Sequence, residues 1–507
     1  MAGKRSNYLV AIRRLAQSAS VLFFIYIVWA AKYPLKGFVN PAAVFWFDPL
    51  AMAVTAIAGR VLLAGLLYAA ATLVLTFIFG RFFCGWVCPL GGLLDLWSYA
   101  LRKIVRRKYS ERAPSAFRHI KYVQLALLIV LALFGLQLAW LFDPITIFVR
   151  TFSYNVLPAI NNGVEQAFGF ALQKMGFPEW LDRAYQALKE NALNLSGSAY
   201  PHTWPIFAVA VVVFALAVIK PRLWCRYFCP LGGMLAFVSK FTPFRRRVSA
   251  CTNCAACRNA CRMNAIKPDN SYLPDECALC LECVIRCPGK TAFSFSKGRE
   301  SAGHTDAKGI TRRQFLFSLG SAATACVLAT PKKLLGSGSN APRPVIRPPG
   351  ARPEDEFVRR CIRCGNCIKI CITNGLQPAL LESGWQGVWT PRMDTAIGYC
   401  EHRCNLCGQV CPTGAIKNLT LEQKIITKLG TANVLRQICI PWTTGEGCLV
   451  CEEQCPIPEK AVKREKRVVN QRPVEVPVVD RRLCVGCAIC ENKCPVRPRR
   501  AITVTPL

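Results

Sequence analysis

The sequence predicts an α-helical membrane bundle of four spans with one further apolar segment, joined to two small α+β domains held together by cysteine. Three observations predict it. Four stretches in the first 220 residues are apolar enough to approach the ~20 residues that cross a bilayer. Of 29 cysteines in 507 residues, 24 stand in repeated short spacings after residue 250. Between the second and third of those spacings lie an arginine pair, a mildly apolar run and six prolines at 331–353.

Composition narrows the function classes. A formal charge of +35 points first to nucleic acid or an anionic surface. The positions of the Lys and Arg residues exclude nucleic acid, because most of the excess in the first half sits in the loops of one membrane face. Dense cysteine in a small secreted chain would mean disulfides; this chain is long, carries apolar spans and repeats one spacing, which argues for metal ligation.

The expected spans are Leu15–Ala31, Val61–Gly80, Tyr122–Phe142 and Thr203–Ile219. The N-terminal tail carries Lys4, Arg5, Arg13 and Arg14, the 81–121 loop nine Lys or Arg, and 220–247 seven. Loops 32–60 and 143–204 carry three and four. The basic side is cytoplasmic, so the topology signal accounts for much of the charge.

The bundle repeats itself. Arg81-Phe-Phe-Cys84-Gly-Trp-Val-Cys88-Pro-Leu-Gly-Gly recurs as Arg222-Leu-Trp-Cys225-Arg-Tyr-Phe-Cys229-Pro-Leu-Gly-Gly. Phe47-Asp48-Pro49 recurs as Phe142-Asp143-Pro144. Cys-x₃-Cys puts both thiols on one helical face, so Cys84, Cys88, Cys225 and Cys229 are candidate redox-site residues. They would bind a metal, form reducible disulfides or line a redox site; small buried cysteines at helix starts are the plain alternative. Asp48 and Asp143 read as helix caps before proline or as carboxylates that accept protons from an oxidised quinol. The four histidines, His119, His202, His304 and His402, place no pair inside the spans, so no membrane haem is expected.

Residues 241–300 hold Cys251-x₂-Cys254-x₂-Cys257-x₃-Cys261 and Cys277-x₂-Cys280-x₂-Cys283-x₃-Cys287-Pro. Three closely spaced thiolates hold one corner of a [4Fe–4S] cubane, and the fourth cysteine of each run ligates the other cluster in two-cluster ferredoxins. One cluster is then expected on Cys251, Cys254, Cys257 and Cys287, the other on Cys277, Cys280, Cys283 and Cys261. Arg262 stands where proline usually follows Cys261.

Residues 301–353 read as a signal or anchor followed by a stiff linker. Arg312-Arg313 precede a short apolar run, as in a twin-arginine export signal. Ala323-Thr324-Ala325 has the form of a leader-peptidase site, and Cys326 follows it outside every motif. A fifth anchoring span is the alternative.

Residues 354–507 carry sixteen more cysteines. The motifs are Cys361, Cys364, Cys367, Cys371; Cys400, Cys404, Cys407, Cys411; Cys439, Cys448, Cys451, Cys455; and Cys484, Cys487, Cys490, Cys494. They suffice for four cubanes, giving six in the chain: two cytoplasmic and four periplasmic. Binding that favours only the folded state contributes to folding, which suits assembly inside the cell and export already folded.

On these motifs residues 1–300 resemble NapH-type membrane ferredoxins, and residues 311–507 resemble NapG-type (MauM/NapG) ferredoxins. The chain looks like a fusion of the two, with ferredoxin-like iron–sulfur domains at 241–300 and 354–507. The resemblance to four-cluster subunits implies that the outer motifs share ligands: Cys361, Cys364, Cys367 with Cys494, and Cys484, Cys487, Cys490 with Cys371. The inner motifs would do the same: Cys400, Cys404, Cys407 with Cys455, and Cys439, Cys448, Cys451 with Cys411. It further implies a quinol dehydrogenase component of the bacterial inner membrane, passing electrons from the quinol pool to a periplasmic reductase of the nitrate-reductase type, or to that enzyme's cytochrome c or electron-transfer subunit. The alternatives are an assembly or maintenance factor that reduces another enzyme's metal centre, and a relay running outward from cytoplasmic donors.

Overall fold

The computed structural model describes residues 2–35, 37–105, 115–175, 178–191, 200–201, 203–248, 251–287, 291–295 and 345–507. The segment with Arg312, Arg313, Ala325 and Cys326 lies outside them, as does His202. The chain forms two compact units. The first comprises Met1–Ile27, Ala43–Thr151 and Trp204–Ser337; the second comprises Val28–Ala42, Phe152–Thr203 and Gly338–Leu507.

The first unit is a helical bundle with a small cysteine-rich tail. Of the four expected spans, one is carried by a helix long and apolar enough to cross a membrane by itself, Tyr8–Ala30 within the helix Ala2–Ala30. The other three segments are helical over fewer residues than expected: Gly65–Phe79 (15), Ile120–Leu133 (14) and Trp204–Ile219 (16). The third breaks at Gly135, whose φ of +82° is open to glycine at little cost. Its N–H bonds Ala132 O at 2.8 Å and Leu136 N–H bonds Leu131 O at 2.9 Å, closing the helix end.

Pro at the first position starts four bundle helices, Pro49–Gly59, Pro89–Val105, Pro144–Thr151 and Pro230–Ser239. The residue before each proline is Asp48, Cys88, Asp143 or Cys229, so the cap positions coincide with the candidate site residues. In the tail, Phe244–Val248 pairs antiparallel with Thr291–Phe295. The short helices Ala256–Ala260 and Glu282–Arg286 each begin inside a cysteine run.

The second unit is built on three antiparallel strand pairs: Leu376–Pro378 with Pro391–Met393, Gly430–Val434 with Ile502–Pro506, and the hairpin Val462–Val469 with Arg472–Val479. Helices Leu157–Met175 and Glu179–Asn191 belong to this unit. Its loop 28–42 is joined to the cysteine domain by side chains standing between ligands. Lys369 Nζ donates to Ala31 O at 2.9 Å and Trp29 O at 3.4 Å, and Asn366 Nδ2 to Pro41 O at 3.2 Å. A Cβ on Gly365 would meet the Tyr154 hydroxyl at 2.6 Å, so this glycine admits the tyrosine.

Candidate functional site

The two twelve-residue repeats meet face to face in the first unit. Cys84, Cys88, Cys225 and Cys229 are all buried free thiols within electrostatic reach of one another. Cys88 Sγ accepts from Gly91 N–H at 3.4 Å and Cys229 Sγ from Gly232 N–H at 3.2 Å. The arginines are exchanged between repeats. Arg222 Nη1 donates to Cys84 O at 2.9 Å and Arg81 Nη2 to Cys225 O at 3.5 Å. Burial pushes the Cys225 thiol up to about 11 and raises Cys88 and Cys229 as well. These thiols therefore lean toward the protonated form, and a metal would have to displace their protons. Among the described residues, no group of three or more His, Cys, Asp or Glu is spaced to hold a single metal ion.

The two-motif tail is docked on this centre. A Cβ on Gly85 would lie 1.9 Å from Ala278 O, so the Cys84 turn and the Cys277–Cys280 loop are in backbone contact. Trp86 Nε1 donates to Leu279 O at 3.1 Å, and Arg81 Nη1 to Asp275 O at 3.1 Å. Buried Lys121 Nζ meets both oxygens of Glu276 at 2.7 and 2.8 Å. Arg262 now has a role that a proline could not fill: it bonds Asp95 at 3.1 Å and Glu282 at 3.0 Å. Arg13 joins the same two carboxylates at 3.6 and 3.4 Å. Sequence reading missed Asp95, Lys121 and Glu276. The available signal was a lone charge on an otherwise apolar helix face, as at Asp95.

Asp48 and Asp143 come together. Both are fully buried and cap their helices: Asp48 Oδ1 accepts from Leu50 and Ala51 N–H at 3.0 and 3.1 Å, and Asp143 Oδ2 from Thr146 N–H at 2.6 Å. The cap reading is thus borne out. Among the described residues, the remaining oxygens, Asp48 Oδ2 and Asp143 Oδ1, find no donor, and the two carboxyls lie within hydrogen-bond reach of each other. A hydrogen bond between two carboxyls requires a proton on one of them. Burial first, then the neighbouring Asp143, pushes Asp48 well above the usual carboxyl range.

Within the tail, Cys277, Cys280 and Cys283 gather with Cys261, as the interleaved ligand pattern expects. Cys251 and Cys254 are exposed at the surface, whereas Cys257 is buried beside Cys283 and Ile266.

In the second unit the sixteen cysteines line four small cavities, four to each. The sets are Cys361, Cys364, Cys367 with Cys411; Cys400, Cys404, Cys407 with Cys371; Cys484, Cys487, Cys490 with Cys455; and Cys439, Cys448, Cys451 with Cys494. This overturns the outer-with-outer pairing. Motif one exchanges its fourth ligand with motif two, and motif three with motif four. Each third cysteine sits on a one-turn helix, Cys367 on Asn366–Lys369 and Cys407 on Leu406–Gln409, and the fourth follows it into the neighbouring motif's cavity. Four thiols around an otherwise apolar cavity fit a [4Fe–4S] cubane, which would supply one-electron transfer.

The sets also stand in series. Cys367 is within electrostatic reach of Cys407, Cys400 of Cys487, and Cys490 of Cys451. Cys400 N–H bonds Cys487 O at 2.9 Å. The order is therefore Cys361 set, Cys400 set, Cys484 set, Cys439 set.

A family model described as a 4Fe-4S binding domain matches residues 61–108 and 200–249, each of which contains one twelve-residue repeat. The methylamine utilization ferredoxin-type protein MauM of Methylorubrum extorquens is 32% identical over 154 residues, 30% of this chain and 68% of the relative. Protein NirI of Paracoccus denitrificans is 27% identical over 251 residues, 48% of this chain and 30% of the relative. The regulatory protein NosR of Stutzerimonas stutzeri is 27% identical over 215 residues, 41% of this chain. The match spans 24% of the NosR length, so most of NirI and of NosR has no counterpart in it. No solved structure matches.

Proposed function

Because this chain belongs to the MauM family of ferredoxin-type proteins, an iron–sulfur electron-transfer family, we propose that it oxidises quinol at the bacterial inner membrane. It relays the electrons through six 4Fe–4S clusters to a periplasmic reductase, or to that enzyme's electron-transfer subunit, in a system of the nitrate-reductase type. On this reading the chain joins a NapH-type and a NapG-type protein. It crosses the membrane four times, with a twin-arginine segment that is cut or retained as an anchor. The tail at 241–300 is cytoplasmic and the domain at 354–507 periplasmic.

The observation that carries the reading is the serial order of four cysteine sets, an arrangement suited to passing electrons from one end to the other. Of the loops expected outside the membrane, 32–60 and 143–204, the parts 32–42 and 152–203 fall in the same compact unit as those sets, which supports the topology. The docked tail and buried Cys84 centre also favour a second reading, a maintenance factor reducing the metal centre of another respiratory enzyme.

Mixing the purified, cluster-loaded protein with menaquinol in a stopped-flow instrument separates the two. The relay reading expects bleaching of the cluster absorbance; an unchanged spectrum refutes it. For topology, protease added to spheroplasts should digest the sixteen-cysteine domain, and Arg312→Lys with Arg313→Lys should protect it. Protection in the unmutated protein would mean that the domain is cytoplasmic.

A further inference from the structure

The far end of the cysteine series is covered by a basic surface. Residues 460–500 hold twelve Lys and Arg against four Asp and Glu. Most of that charge lies on two runs flanking the Cys439 set. One is the hairpin Val462–Val469 and Arg472–Val479, whose outer strand exposes Lys463 through Val468 in succession. The other is Arg497, Arg499 and Arg500, directly after the ligand Cys494. The hairpin is seated on the set: Pro477 lines its cavity, Trp442 Nε1 donates to Pro477 O at 3.4 Å, and Val474 and Val476 are buried beneath. Arg436 lies 4.4 Å from the Trp442 ring centre.

The near end is different. There Lys369 and Asn366, which stand between the ligands of the Cys361 motif, donate to the carbonyls of loop 28–42. One end of the series therefore packs against loop 28–42, and the other lies beneath an exposed hairpin rich in Lys and Arg.

We propose that the hairpin and the Arg497–Arg500 run form the exit port, where an electron-transfer protein with an acidic face docks over the Cys439 set. Complementary charge of this kind steers encounter and fixes orientation more than it adds affinity. Cys439, Cys448, Cys451 and Cys494 would hold a cluster here, which would supply one electron to the oxidised centre of the partner, with no proton or bond exchanged. The direction of flow rests on the relay reading, but the binding surface does not.

The test uses the full chain, cluster-loaded, in neutral-lipid nanodiscs, with a charge-reversed variant Lys463→Glu, Arg472→Glu, Arg499→Glu. All three residues are exposed. The control is Arg359→Glu, Arg403→Glu, Lys417→Glu, equally exposed but beside the first two sets. Poly-L-glutamate binding by calorimetry reads the surface alone; it should weaken on the order of tenfold or more in the port variant and little in the control. After dithionite reduction, oxidation by anionic ferricyanide should slow in the port variant, and oxidation by cationic hexaamminecobalt(III) should quicken, both effects fading with salt. Equal effects in both variants, or none in either, overturn the port. So does loss of binding to anionic-lipid vesicles with poly-glutamate binding unchanged, which would make the patch a lipid contact. If the surface tests succeed while menaquinol leaves the protein oxidised, the relay reading fails and the port stands.

Discussion

Arg222 and Asp95 form a two-pronged ion pair, Nε to Oδ1 at 2.8 Å and Nη2 to Oδ2 at 2.9 Å, both residues being buried. The same guanidinium donates to Cys84 O. One residue thereby fixes the Cys84 turn to the second repeat and to the carboxylate that also holds Arg262 of the tail. Asp95→Asn or Arg222→Ala leaves a buried charge without its partner and should cost about 3–5 kcal/mol, read as a lowered midpoint in denaturant unfolding of the purified protein. Burial raises the Asp95 carboxyl, but Arg222 and then Arg262 hold it well below the usual range. The stabilisation is therefore complete above about pH 4 and lost as pH falls through the depressed value. Asp95→Asn should flatten that acid limb.

The Asp48–Asp143 pair has the opposite sign. Its folded-state affinity for protons is raised, so its stabilisation is present at low pH and lost as pH rises through the folded value. Unfolding temperature should fall with rising alkalinity in the parent and much less in Asp48→Asn, whose amide supplies the missing donor without a charge. Infrared spectroscopy should show a protonated carboxyl stretch in the parent that either Asn substitution removes. If the pair takes quinol protons, both variants also slow quinol-dependent reduction; unchanged rates in both end that role.

Gly85→Ala inserts a methyl where Ala278 O already sits at 1.9 Å, and a backbone carbonyl cannot swing aside like a flexible side chain. Overpacking of this kind costs about 1–3 kcal/mol, and here it should show as faster hydrogen exchange over 275–283. Gly163→Ala, with nothing within 4 Å, should be neutral in the same measurement.

Pairing can be counted in iron. Cys361→Ser with Cys411→Ser removes two ligands from one set and should cost about four iron atoms per chain. Cys361→Ser with Cys494→Ser strikes two sets and should cost about eight. The reverse result would restore the outer-with-outer arrangement.

The cysteine spacings made the ligands legible, because three thiols two residues apart have little other use. They did not make the partners legible. Which motif receives Cys411 depends on where a one-turn helix points the chain after Cys407, and spacing carries no such direction. The Phe-Asp-Pro echo was visible, but the meeting of Asp48 and Asp143 depends on how their two helix starts pack. Arg262 read only as a departure from pattern until Asp95 and Glu282 appeared beside it. Hydropathy located four apolar segments and passed over the apolar helices Pro49–Gly59 and Pro230–Ser239; it overran the third segment because a window average does not register Gly135 in the left-handed region.

The relay in series is tested most directly by menaquinol reduction of a protein whose first set is broken, Cys361→Ser with Cys364→Ser. In the parent, the cluster absorbance of the sixteen-cysteine domain should bleach after mixing. In the variant the three remaining sets should stay oxidised by menaquinol while dithionite still reduces them. Reduction of those sets by menaquinol at the parental rate would contradict a wire that begins at Cys361.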